Sequence, residues 1–222
     1  MSFWDFFRRK PKVDIHSVSF DNLNWELVEK SNYKMVWRSQ EFPAALSLNY
    51  FECAPDIPCD LKDIKALRDF YRELVIAKGG GIIQIEVIQV QEKEIVEAIL
   101  KIPTPSGGKV YFGSYTIPYR DFSYVLKIEA HEDTMAGERD RRIFEQMLNE
   151  GKVILSDQNE ILGWMEDPYD KTVQEGICKT FAENEQFDAE FPDHPLSRLR
   201  SLMKRIKTSI ALSKKLGTYQ VF

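Results

Sequence analysis

Four consecutive β-rich runs constrain this chain more than any other feature. Residues 82–91, 94–102, 109–117 and 122–130 are dominated by β-branched, aliphatic and aromatic side chains, and only residues 92–93, 103–108 and 118–121 connect them. A parallel pair needs a crossover of a dozen residues or more, so links this short predict antiparallel neighbours. In the last run Phe122, Tyr124, Leu126, Ile128 and Ala130 share one face, while Ser123, Val125, Lys127 and Glu129 share the other. That period of two belongs to a strand with one buried face. The first run changes phase near Val87 and Ile88, which predicts a bulge or a strand covered on both faces.

Helical patterns flank this meander. After Pro55 and Pro58, Ile64, Leu67, Phe70, Tyr71, Leu74 and Val75 recur at helical spacing and form one apolar stripe. Asp60 is the expected N-cap, and Gly79, Gly80 and Gly81 end the helix because glycine adopts the left-handed conformation a C-cap needs. A second helix is expected over 137–150, with Ile143, Phe144, Met147 and Leu148 on its apolar face and Gly151 beyond it. Upstream, 25–30 and 33–38 read as a hairpin turning at Ser31 and Asn32, and 45–51 alternates as a further strand. The fold class expected is α+β: an antiparallel sheet of hairpin, strand, helix, four-stranded meander and helix, with helices packed on it and a C-terminal helical extension.

The run 42–51, the helix 60–78, and the meander to Ala130 with its following helix resemble the PsbP-like fold, shared with Ran-binding proteins of the Mog type. The resemblance is one of layout and covers about residues 20–150. It implies a non-enzymatic binding scaffold. No residue of this sequence matches a functional motif of that family, so no role is carried over, and 156–222 lies outside the resemblance.

Composition shifts divide the chain into an N-terminal segment (1–19), the α+β domain (20–155), an acidic loop-rich segment (156–193) and a basic helix with tail (194–222). Residues 156–193 hold eleven acidic residues against two lysines, whereas 194–215 holds seven basic residues and none that is acidic. In the latter, Leu196, Leu199, Met203, Ile206 and Ile210 follow at alternating spacings of three and four, a narrow coiled-coil-like seam. Asp193 is the expected cap and Pro195 suits the first turn. Three readings stay open: the helix packs on its own domain and neutralises the acidic segment, pairs with a partner or twin helix, or lies on anionic lipid or nucleic acid. The second makes Arg198, Leu199, Met203, Lys204, Arg205, Ile206, Lys207 and Ile210 the partner-binding residues, with another protein or a second copy as the partner.

A net charge of −5 gives no global attraction to nucleic acid. Three cysteines without repeated spacing fit a reducing compartment. The opening residues place Phe3, Trp4, Phe6 and Phe7 before Arg8, Arg9 and Lys10. This reverses the order of a secretory signal, so a cytoplasmic protein is expected. The same residues read either as a turn packed on the domain or as a short anchor for a membrane surface or partner.

No catalytic motif is present. Gly79–Gly81 lacks a following Lys-Ser/Thr and does not join a strand to a helix, so cap chemistry is expected there, and turn chemistry at Gly107 and Gly108. His16, His131 and His194 lie far apart without a His or Cys at ligand spacing, so neither a metal nor a cofactor is expected. The densest acid–base cluster is His131, Glu132 and Asp133, with Glu138 and Asp140. It reads as a solvated loop beside a helix N-terminus, or as a small enzyme's site with His131 as general base. Residues 164–170 read as a loop tacked down by Trp164 and Tyr169, or as a lid or partner contact. The function expected is a non-catalytic protein-interaction module. A small enzyme and a membrane-peripheral protein are the alternatives.

Overall fold

The computed structural model describes residues 12–105, 107–132, 137–158, 160–173 and 175–222. The N-terminal aromatic and basic run and Asp133 lie outside these residues.

The strands are β1 (Val18–Ser19), β2 (Glu26–Lys30), β3 (Lys34–Arg38), β4 (Ala44–Phe51), β5 (Gly81–Val90), β6 (Lys93–Pro103), β7 (Lys109–Pro118), β8 (Ser123–His131), β9 (Ile154–Leu155), β10 (Ile161–Leu162), β11 (Met165–Glu166), β12 (Lys179–Thr180) and β13 (Ala211–Leu212). The α-helices are α1 (Ile64–Ile76), α2 (Glu138–Asn149) and α3 (Pro195–Ser209). Seven strands form one antiparallel sheet in the order β2-β3-β4-β8-β7-β6-β5. The hairpin and the meander stand as the sequence predicts, and the fold is α+β. β4 joins them by pairing with β8 from Ala44↔Ala130 to Phe51↔Ser123.

Both faces of the sheet are partly covered. On β6, Val96 and Ala98 pack with Leu67 and Val75 of α1, while Ile95 and Ile99 belong to the core under α3. Successive strand residues point to opposite faces, so β6 is apolar on both sides. The same holds where β5 begins: Ile82 joins the α1 cluster and Ile83 the other. The register shift therefore falls between Ile82 and Gln84, earlier than the phase change near Val87 suggests.

α3 lies across β7 and β8 over Tyr111, Tyr115, Leu126 and Ile128. It approaches so closely that a Cβ on Gly113 would stand 2.3 Å from Met203 Sδ, so any larger residue there would have to shift the Met203 side chain.

Local caps differ in register from expectation. Asp63, not Asp60, caps α1 by accepting from the Ala66 N–H at 3.0 Å, while Asp60 accepts from the Lys62 N–H at 2.9 Å. Gly79 (φ 69°) ends the helix as foreseen. His194, not Asp193, caps α3: its Nδ1 accepts from the Leu196 N–H at 3.2 Å, and Asp193 pairs with Arg198 at 2.7 Å instead.

The segments separated by composition are one body. Ile15, Val18, Leu196, Leu199, Met203 and Leu216 share the core of β4, β7 and β8, and β1 pairs with β13. Residues 156–193 supply Trp164, Ala182 and Phe187 to a smaller cluster with Ile143 and Met147 of α2. The C-terminal helix is thus a layer of the fold, because its seam has the length and spacing to cover the apolar face of β7 and β8.

Candidate functional site

The surface the sequence singles out for partners is occupied by the chain itself. Leu199 and Ile206 are fully buried and Met203 and Ile210 nearly so, all against the sheet. A twin helix would have to displace that packing. The basic residues turn back into the chain: Arg198 to Asp193, Lys204 to Glu185, Arg205 to Asp21 and Lys207 to Glu97. Leu199, Met203, Ile206 and Ile210 are therefore core residues, while Lys204 and Arg205 keep side chains more than half exposed.

The glycine stretch is equally closed. A Cβ on Gly81 would stand 1.8 Å from the Ile177 carbonyl oxygen, and one on Gly80 2.3 Å from that of Lys101. The loop 164–170 is tacked down: the Arg72 guanidinium donates to Asp167 at 2.9 and 3.0 Å, the Arg68 guanidinium lies 3.6 Å from the Tyr169 ring centroid, and Tyr169 Oη accepts from the Ile85 N–H at 2.8 Å. Cys53, Cys59 and Cys178 are free thiols.

A polar network lies beneath α2 and α3. Lys101 Nζ meets Glu183 at 2.6 Å and donates to the Cys178 carbonyl at 2.7 Å; both charged side chains are essentially inaccessible. The Thr180 N–H and the Tyr111 hydroxyl also donate to Glu183. Lys109 bridges Asp140 and Glu183, and Asp140 accepts from the Thr180 hydroxyl. Burial pulls Lys101 below the usual lysine range against the attraction of Glu183. Burial would also raise Asp140, but the Lys109 ammonium and the Thr180 hydroxyl hold it below the usual carboxylate range. Arg139 donates to the carbonyls of Ala182 and Asn184, to Ser197 and to Asp188, which also accepts from Arg200. Arg200 Nε is the one side-chain nitrogen here without a partner among the described residues. A network this buried and this well bonded positions backbone; it is closed to substrate.

Beside it lies a cleft of about 660 Å³. It opens where β8 leaves the sheet, between the β3–β4 loop, the start of α2 and the chain entering α3. Phe42 and Phe191 stand in its walls, with the Arg198 guanidinium 4.6 Å from the Phe42 ring centroid and that of Arg142 5.2 Å from the Phe191 ring centroid. The structure brings His131 and Glu132 to this cleft with Glu138, as the acid–base reading requires, and adds His194, which sequence inspection did not connect to them. Asp140 faces Lys109 and Thr180 instead.

The floor is the pair Glu132 and His194. His194 Nε2 stands 3.4 Å from Glu132 Oε1, which also accepts from the Gly137 N–H at 3.1 Å. His194 Nδ1 accepts from the Leu196 N–H, so one ring nitrogen is held by the helix start and the other faces Glu132. Burial would raise Glu132, but the His194 and Gly137 bonds, with the Lys109 charge, hold it below the usual range. His131 is exposed, and its ring makes no hydrogen bond among the described residues. Among those residues no group of three or more His, Cys, Asp and Glu is placed to hold a metal ion, and no helix is long and apolar enough to cross a membrane.

No protein-family model matches the chain, and no curated protein matches it. Among solved structures, one that is similar is the crystal structure of PA94, a Pseudomonas aeruginosa protein of unknown function, at a TM-score of 0.35 and 11% identity over 56% of this chain and 82% of that one.

Proposed function

We propose that this chain is a non-catalytic, cytoplasmic binding module that holds a segment of another protein in the cleft beside β8. The observation that carries the reading is the cleft's construction. It is large enough for a few residues of extended chain, Phe42 and Phe191 stand in its walls, and Glu132 and His194 are each hydrogen-bonded to the backbone of the fold. A general base needs a lone pair directed at a substrate proton, whereas the His194 nitrogens face the Leu196 N–H and Glu132. Pockets with apolar walls and a few fixed polar groups are the usual form of a recognition site. The layout resemblance read from the sequence implies the same kind of scaffold.

Photo-crosslinking in cells tests this. A benzoylphenylalanine at position 42 should capture one protein, and the crosslinked segment, made as a peptide, should bind the purified chain. The same group at position 157, outside the cleft, should not capture it. Equal capture from both positions defeats the reading.

One observation favours a second reading, a small enzyme: the His131 ring lines the cleft with no hydrogen bond among the described residues. In that case His131→Ala abolishes turnover of a cleft ligand while leaving its affinity intact. Ligand recovered chemically unchanged after prolonged incubation with the wild-type chain removes the enzymatic reading.

A further inference from the structure

Resting on the binding reading above, we infer that the cleft selects a cation: a lysine or arginine side chain on a basic segment of the partner, anchored by Glu132. Glu132 has a side chain only 4% exposed, and its contacts, the hydrogen bond from the Gly137 N–H and the His194 Nε2 at 3.4 Å, fall on the same oxygen, Oε1. Oε2 has no hydrogen-bond partner among the described residues, and Glu132 lines the cleft. The direct partners of that oxygen are the His194 imidazole and a backbone amide. The nearby cations are committed elsewhere, Lys109 to Asp140 and Glu183 and Arg139 to Asp188. A buried carboxylate with an open oxygen favours an ammonium or guanidinium, which forms a short charge-assisted bond.

The mouth repeats this bias. Glu41, Glu138 and Glu190 line the cleft without an ion pair among the described residues. Arg198 is paired with Asp193, which leaves Arg142, lying against Phe191, as the lining guanidinium without a carboxylate partner. An acidic segment or a phosphate would meet five carboxylates, of which Asp193 is paired with Arg198, against the one unpaired guanidinium of Arg142 among the described residues. A lysine or arginine stem would instead lie against Phe42 and Phe191 with its charge toward Glu132.

The test titrates the full chain with acetylated, amidated hexalysine and hexaglutamate peptides, followed by heteronuclear NMR. Hexalysine should shift the Gly137 amide, which reports on Glu132 Oε1, and hexaglutamate should not. Glu132→Gln should weaken hexalysine by about tenfold or more, the size expected for a lost bond to a charged group. Asp157→Asn with Glu160→Gln, outside the cleft lining, should change affinity by less than about twofold, because exposed charges act weakly. This control separates the site from the general attraction of a chain with net charge −5. Glu132→Gln also touches two structural bonds, so Glu41→Gln with Glu190→Gln serves as a second probe and should weaken binding by about threefold. Equal losses in the cleft and control variants overturn the inference, as does absent hexalysine binding or a preference for hexaglutamate. Crosslinking at position 42 to a segment without basic residues overturns the cation alone and leaves the binding reading standing. Absence of any crosslink there removes both.

Discussion

The start of α2 and the stretch from Thr180 to Arg198 build two charged regions side by side, and they differ in what they leave open. Under α3, Lys101, Glu183, Arg139 and Asp188 are held by one another and by backbone groups, and Arg200 Nε is the exception. In the cleft, among the described residues, one Glu132 oxygen has no hydrogen-bond partner and Glu41, Glu138 and Glu190 stand without ion pairs. The desolvation of a buried charge must be offset within the fold, whereas a charge at a cleft can wait for a ligand. The first region is therefore structural and the second has the form that the proposed recognition needs, although both draw on the same segments.

The largest effect should come from breaking the closed region. Glu183→Ala leaves Lys101 buried without its counter-charge and should destabilise by about 3–5 kcal/mol in urea unfolding. Lys101→Met with Glu183→Leu should recover much of that loss, since a buried pair is often no better than an apolar replacement. A loss below about 1 kcal/mol for Glu183→Ala would mean that water reaches Lys101. Next, Arg139→Lys keeps the charge but loses the fork that serves two carbonyls, Ser197 and Asp188, and should lower stability by about 2 kcal/mol or more.

Acid sharpens the same contrast. Asp140 and Glu132 are both held below the usual carboxylate range. A carboxylate with a depressed folded pKa contributes stability that is present above its unfolded value and lost as pH falls through the folded one. Stability should therefore drop below about pH 4, and Asp140→Asn should flatten that limb when unfolding midpoints are followed from neutral to acid pH. The smallest effect belongs to the cleft: His131→Ala and Arg142→Ala should each leave stability within about 0.5 kcal/mol, as surface changes do. A larger loss would place these side chains in the structural network.

Much of the fold was legible residue by residue. The alternation from Phe122 to Ala130 and the stripe from Ile64 to Val75 announce β8 and α1, because each side chain's environment repeats with the period of its own backbone. The pairing of β4 with β8 was not legible, since a strand's alternation says which face is buried but not which strand lies beside it. The role of α3 stays open in the sequence for a related reason. Leu199, Met203 and Ile206 show an apolar face without saying whether the surface it covers belongs to the same chain. The site was half legible: His131 and Glu132 were found as a cluster, while His194 could be added only once α3 was seen to begin beside the end of β8.

The amino-acid order by itself determined the elements and their antiparallel meander, because periodicity, turn residues and connection length act over a few neighbours. Tertiary structure alone decided that the basic helix closes the core, that Lys101 meets Glu183, and that Glu132 faces a cleft. These depend on which distant surfaces bury each other best, a free-energy comparison over the whole chain that leaves no mark on any one segment.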